Sequence, residues 1–376
     1  MENRPFHEDD NKDLAQETIG KSKQYSFWGE MWKRLRRHKI AIAGGIVVII
    51  LYIMVIFAGF LSPYHPNKTF REHFYHPPTT IQFTDEDGSL TRPYIYGTES
   101  VGWGQYEIIE EEKHEIKLFH RGDTYSFGPI TTDIQLFGIE SEEQPVFLLG
   151  SDGYGRDLFT RLLYGGRVSM FIGFVAIFIS TSIGMIVGGI SGYYGGWVDE
   201  VLMRLAEIIM SIPGFYLLLA LAAVMPIDVP SQMRFFFIIS ILAFRGWAGM
   251  ARVIRGMVLS AKNQEYVLAA KAIGASDIRI ILKHVLPVTT TYVIVSATVA
   301  VPGYIILESG LSFIGLGIQE PAASWGNMLA SAQNITSITG FPWMLIPGFM
   351  IFIACLSYNL LGDGLRDALD PKSTIR

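Results

Sequence analysis

Six apolar stretches, each near the length a helix needs to cross a bilayer, constrain this chain more than any other feature. They run approximately over Ile40–Leu61, Val168–Ile190, Leu205–Met225, Phe235–Ile254, Val288–Leu307 and Trp343–Leu361. A hydrocarbon core about 30 Å thick takes roughly 20 helical residues to span, and inside it the backbone must satisfy its own polar groups, which a helix does. Four of the six hold no Asp, Glu, Lys or Arg; the third carries Glu207 near its start and the fourth Arg245 about halfway along. Half of all residues are hydrophobic and only 17% are charged, so the chain reads as a membrane protein.

Basic residues near the spans set the orientation. Lys33, Arg34, Arg36, Arg37 and Lys39 crowd the entry to the first span, and the loop between the fourth and fifth carries Arg255, Lys262, Lys271, Arg279 and Lys283. Arg366, Lys372 and Arg376 follow the sixth. These segments are expected inside. The loop Leu311–Pro342 has no Lys or Arg and is expected outside. Arg156, Arg161 and Arg167 break the pattern, but a long translocated segment is weakly governed by the charge rule. Six spans with both termini cytoplasmic is the consistent solution, in a cell membrane. The first span reads as a signal anchor, since its apolar run outlasts an h-region and no small-x-small site follows it.

The chain divides accordingly. Residues 1–38 are expected as a cytoplasmic tail ending in an interfacial helix with Phe27, Trp28, Met31, Trp32 and Leu35 on one side. Residues 39–61 make the first span, 62–148 an extracytoplasmic insert, and 149–167 a connecting segment at the membrane surface. A five-helix core follows over 168–362 with a polar loop at 258–287, then a cytoplasmic tail over 363–376. The insert alternates β-rich runs (Thr79–Phe83, Arg92–Tyr96, Tyr106–Ile109, Glu115–Phe119, Val146–Leu149) with turn signals at Asp87-Gly88 and Arg121-Gly122-Asp123, so a small β-rich domain is expected.

The most informative polar segment is Glu265–Pro287, EYVLAAKAIGASDIRIILKHVLP, helix-forming yet wedged between two spans. Ala269, Ala270, Gly274, Leu286 and Pro287 fall at the spacing A-A-x3-G-x11-L-P, which resembles the loop by which permeases of ABC importers engage their ATPases. Alanines keep a helix face thin, Gly274 lets the chain turn between two short helices, and Pro287 is expected to stop the second. Leu268 stands where that family usually has Glu, and His284 where it usually has Ile. Further stretches are similar to the oligopeptide/dipeptide permease C-type subunit and come in its order: LGSDGYGRDLFTRLLYGGR from Leu149, GYYGGWVDEVLMR from Gly192, ESGLSFIGLG from Glu308, PAASWGNML from Pro321 and NLLGDGLRDALDPK from Asn359. Ser151 replaces a usual Thr.

The resemblance implies an all-α membrane protein: a six-transmembrane-helix type I importer permease bundle with a small β-rich extracytoplasmic insert. It implies a non-catalytic subunit that forms a pathway with a second homologous permease, is driven by two cytoplasmic ATP-binding subunits, and receives peptide from an extracytoplasmic binding protein. A nickel, glycan or other solute importer of the same family is the alternative, and a membrane-anchored receptor the alternative from another class; the absence of a signalling output domain weighs against the receptor. Glu265, Ala269, Ala270, Gly274, Leu286 and Pro287 are the expected ATPase-docking residues.

Other chemistries find less support. Ala15–Ser22 formally fits a relaxed phosphate loop but follows an acidic polar tail rather than a strand. His65, His73, His76, His114 and His120 have no metal-ligand spacing and are expected as scattered surface histidines, with no metal and no cofactor. No G-x-S-x-G elbow offers a nucleophile. The single cysteine, Cys355, excludes an intrachain disulfide. A net charge of −5 carries no sign of nucleic-acid binding. Arg245, about 15 Å into the fourth span at 1.5 Å per residue, is a pathway candidate, as is Glu308, because intramembrane charge is costly unless it meets a cavity or a partner. Pro213 and Pro302 are expected to bend their spans.

Overall fold

The computed structural model describes residues 27–85, 88–141, 143–226 and 229–369. The phosphate-loop-like stretch Ala15–Ser22 lies outside them. Helices dominate: α1 is Phe27–Leu35, α2 Lys39–Ile56 and α3 Ala58–Leu61, followed after the insert by α4, Leu158–Tyr194. Next come α5 (Gly196–Ser211), α6 (Gly214–Ala223), α7 (Ser231–Ala261), α8 (Glu265–Ala272) and α9 (Asp277–Ile280). A π-helical turn, Ile281–Val285, leads into α10 (Leu286–Phe313), then α11 (Trp325–Ala330), α12 (Ile335–Gly340) and α13 (Ile346–Leu369). Among the described residues, five helices are long and apolar enough to cross a membrane, six when α5 and α6 count as one span broken by 83°.

That break follows from Pro213. A residue before proline is pushed out of the helical region, and Ile212 is extended with ψ 125°. Pro302 behaves differently and stays inside α10 without ending it. Pro287 is a correction: it does not stop the second loop helix, because helix runs unbroken over Asp277–Phe313. The π-turn Ile281–Val285 lies just before Pro287, and a widened turn relieves the clash between the ring and the preceding turn's carbonyl. The second span also starts earlier than apolarity alone marks, at Leu158, capped by the Asp157 carboxylate accepting from Thr160 N at 2.8 Å.

Close packing is built on small residues. Gly184, Gly188 and Gly192 repeat every fourth position on α4 and face α7; a Cβ at Gly188 would lie 2.5 Å from the Ala251 carbonyl oxygen, and one at Gly192 2.8 Å from that of Arg255. Backbone therefore rests on backbone. Between α2 and α13, Gly44 backs onto the Ser357 carbonyl and the Tyr358 hydroxyl donates to Tyr52 at 2.7 Å. Leu35 on α1 is buried with Ala41 and Ala368, and His38 lies 3.3 Å from Asp367. The helix before the first span thus packs on the last helix, while Trp32 remains half exposed.

Among its described residues the insert holds two antiparallel sheets, β1 (Gln82–Thr84), β2 (Leu90–Gly102) and β3 (Gln105–Glu115) in one, β4 (Lys117–Phe127) and β5 (Ile130–Gly138) in the other. Two expectations are corrected. Arg121-Gly122-Asp123 is a register irregularity within β4 rather than a turn. Val146–Leu149 forms no strand; Val146 and Phe147 fill the insert's core with Tyr64, Phe70, Ile95, Ile116 and Ile139, and their N–H groups donate to the Tyr64 hydroxyl and Thr79 Oγ1. Nor are all the histidines at the surface. His73 and His76 are buried against Phe147 and Tyr106, and burial pushes the His76 imidazole down to about 4.

Candidate functional site

The segment between α7 and α10 folds as an elbow. Helix α8 begins at Glu265, and the chain reverses at Gly274, whose φ of +81° is a conformation other residues adopt at a cost. The second arm starts at Asp277 and continues without interruption into α10. Among the described residues nothing lies within 4 Å of where a Gly274 Cβ would be, so conformation rather than crowding demands glycine.

The elbow has an inner and an outer face. Val267, Ala270, Ile280, Ile281, Val285 and Leu286 are buried together with Ile254 and Val258 of α7. Ala270 is therefore occupied by this chain's own core, whereas Ala269 is exposed. The outer face carries Tyr266, Leu268, Ile273, Ile278 and Leu282, all exposed, with Ile273 at 86%. Glu265, Lys271, Arg279, Lys283 and Pro287 are exposed around it. Five exposed apolar side chains on one short polar elbow form a surface that the described residues leave uncovered. The departures noted in the sequence fall on both sides of this division, with Leu268 outward and His284 half buried.

Polar contacts fix the elbow to the helix bundle. The Tyr193 hydroxyl at the end of α4 donates to Asp277 at 2.7 Å. Lys262 donates to the Gly192 carbonyl at 2.9 Å, and Arg255 grips Asp199 through two nitrogens, with Ser191 donating to the same carboxylate. Sequence reasoning gave Asp199 no role; its partner is 56 residues away, and only a charge near the end of a span hinted at it.

At the other end of α4, Arg156, Arg161 and Asp152 are buried, and Glu320 closes over both guanidinium groups from the more exposed side. Glu320 accepts from Arg156 at 2.6 and 3.1 Å and from Arg161 at 2.9 and 3.0 Å, while Asp152 accepts from Arg156 Nε at 2.7 Å. Asp157 stays outside this cluster as the cap of α4. One of its oxygens has no hydrogen-bond partner among the described residues, and burial pushes its carboxyl up to about 7.

The two intramembrane candidates separate. Arg245, midway along α7, is exposed, and its guanidinium lies over Gly214 just beyond the bend at Pro213. Glu207 does not pair with it, contacting Arg204 at 3.2 Å and Arg252 at 3.9 Å instead. Glu308 is wholly enclosed, accepting from Ser312 at 2.7 Å and Ser309 at 3.3 Å with Ser169 and Ser324 beside it. The structure places it at a joint of α4, α10 and the turn before α11.

Comparison with known proteins gives two family matches. The model described as binding-protein-dependent transport system inner membrane component matches residues 168–375, and that of the N-terminal TM domain of oligopeptide transport permease C matches residues 26–78. The dipeptide transport system permease protein DppC of Bacillus subtilis (strain 168) is 34% identical over 92% of this chain and 86% of its own length. The oligopeptide transport system permease protein OppC of the same organism is 32% identical over 93% and 91%. The protein of that description from Haemophilus influenzae is 42% identical over 65% of this chain and 78% of its own.

Proposed function

Because this chain belongs to the family of binding-protein-dependent transport system inner membrane components, we propose that it is the permease subunit of an ATP-driven importer of peptides. It forms the translocation pathway with a second, homologous permease and takes substrate from a binding protein outside. Two cytoplasmic subunits hydrolyse ATP; this chain does not. The peptide substrate is supported by relatives named for dipeptide and oligopeptide transport.

The observation that carries the mechanism is the elbow: an uncovered apolar face on one side, and on the other an unbroken helical connection into a span. Its outer face, with Leu268, Ala269 and Ile273, seats in the ATPase, and Glu265 begins the docking helix. Gly274 sets the angle of the elbow, while Ala270 and Leu286 fasten it to the bundle from within. Pro287 sits where the arm becomes the span. When the ATPases close on ATP, the elbows of the two permeases draw together and re-aim α10, which shifts the equilibrium between inward and outward access. The termini and the elbow lie in the cytoplasm and the insert outside, a reading supported by the basic residues around α1 and the elbow and by the packing of α1 on α13. Arg245, exposed beside the bent span, lines the route; Glu308 holds the helices behind it.

Reconstitution tests this. With both permeases, both ATPases and the binding protein, labelled oligopeptide should accumulate in proteoliposomes only with ATP, and Arg245→Ala should lower uptake at matched assembly. Accumulation of nickel or a glycan in place of any peptide would overturn the substrate, and ATP-independent accumulation the mechanism.

A further inference from the structure

We infer that the β4–β5 hairpin is a membrane anchor, its tip inserted at the headgroup and acyl boundary of the leaflet that the insert faces. The hairpin runs down the far end of the first span, and from Asp123 to its tip the contacts follow in order. Asp123 accepts from the backbone N–H of His65 at 2.8 Å, beyond the end of the span. Nearer the bilayer centre, the Tyr125 ring occupies the space that a side chain at Gly59 would need. Deeper still, Phe127 stacks on Phe57, ring centroids 5.2 Å apart and planes 16° from parallel. From Asp123 onward, later hairpin residues thus meet earlier span residues, so the tip points toward the bilayer; the ring of Phe119, before the register irregularity of β4, lies 6.3 Å from that of Phe60.

Composition changes along the same direction. Between Asp123 and Asp133 no residue is charged, and the turn reads Phe127-Gly128-Pro129-Ile130. Gly128 adopts φ +60°, which makes the tight reversal. At about 3.3 Å per residue, the turn sits roughly 16 Å along the strand from Asp123. Phe127 and Pro129 are exposed, and Ile130 is 63% exposed.

What covers this tip follows from continuity. Ile49, Ile53, Ile56 and Phe57 form an exposed apolar strip along the first span, the surface that meets lipid, and Phe127 extends it without a polar gap. The polar boundary is marked by Arg167, which donates to the Val55 and Ile56 carbonyls at 2.6 and 2.8 Å and lies over the Tyr164 ring. Arginine and tyrosine are typical of that depth, and apolar elements of interfacial segments bury about 5–10 Å into it. The occupant is therefore lipid. Which leaflet it is rests on the orientation proposed above; the depth does not.

The test uses the full chain assembled with its partners in liposomes, with Cys355→Ser removing the single native thiol. An environment-sensitive fluorophore is placed at Ile130→Cys or, as a reference on an exposed charged strand, at Glu111→Cys. The Ile130 label should emit to the blue of the Glu111 label, lose most of its emission to a lipid spin-labelled high on the acyl chain, and resist iodide. Strong iodide quenching at Ile130 without lipid quenching overturns the inference, placing the tip in water. Protection from both quenchers also overturns it, assigning the tip to a neighbouring protein. Access of membrane-impermeant thiol reagent to Glu111→Cys from the interior alone would refute the orientation while leaving the lipid result standing.

Discussion

Replacing Ile273 by aspartate separates docking from folding more cleanly than any other change in the elbow. Ile273 is 86% exposed, so its removal costs the isolated chain little, within about 0.5 kcal/mol as for other surface sites. If the ATPase buries this side chain, the transfer energy forfeited is about 1.5–3 kcal/mol, which corresponds to roughly a 10- to 150-fold weaker Kd. A carboxylate pressed into the same groove adds a desolvation cost in the same direction. Titrating ATPase subunit onto the permease held in nanodiscs measures this directly, with thermal unfolding of the permease as the control. Ala270→Trp should give the opposite pattern, since Ala270 is buried among Val267, Ile280 and Ile281; overpacking there destabilises the elbow itself by about 1–3 kcal/mol. Unchanged affinity for Ile273→Asp would refute the assignment of the outer face to the ATPase.

Two further outcomes concern the opposite end of α4. Glu320→Gln leaves Arg156 and Arg161 sharing Asp152 alone; breaking a buried pair costs about 3–5 kcal/mol, and with Glu320 itself 40% exposed about 2–3 kcal/mol is expected, read as a lower thermal midpoint, whereas a midpoint equal to wild type would remove the cluster from the stability account. Asp157, with its carboxyl raised to about 7 from an ordinary value of 3.8, binds its proton more tightly folded than unfolded; its contribution is therefore present at low pH and declines as pH rises from about 4 to about 7. Asp157→Asn should flatten that part of the stability profile, and an unchanged slope would exclude Asp157 as its source.

The parts of this fold legible in the sequence are those governed by local rules. Span existence follows from apolar length, the elbow from a polar helix-former between spans, and the positive φ at Gly274 from the need to turn there. Prolines show the limit of such rules. Pro213 interrupts its span by 83°, Pro302 is absorbed within a helix, and Pro287 is accommodated by a π-turn; the residue is the same and the neighbouring turns decide. Contacts set by long-range assembly were not legible at all. Arg161 meets Glu320 from 159 positions away, and His73 and His76 are buried by Phe147 and Tyr106 rather than by anything adjacent. Ala269 and Ala270 look equivalent in the motif, yet only the fold shows that one faces out and the other in.

The glycine repeat on α4 restricts which parts of the bundle are free to change. Where two backbones touch, there are no side-chain rotamers to exchange, so one helix cannot roll over the other without first separating from it. Met250, Ala251, Ile254 and Val258 on α7 sit directly against Gly184, Gly188 and Gly192. Spans two and four thus form a single stiff plate. On the coupling proposed above, work delivered at the elbow must then be expressed outside this plate, and the site already deprived of helical continuity is the interruption at Ile212-Pro213, beside which Arg245 lies. The plate serves as the fixed jaw, and the broken span as the place where a rigid frame can still open.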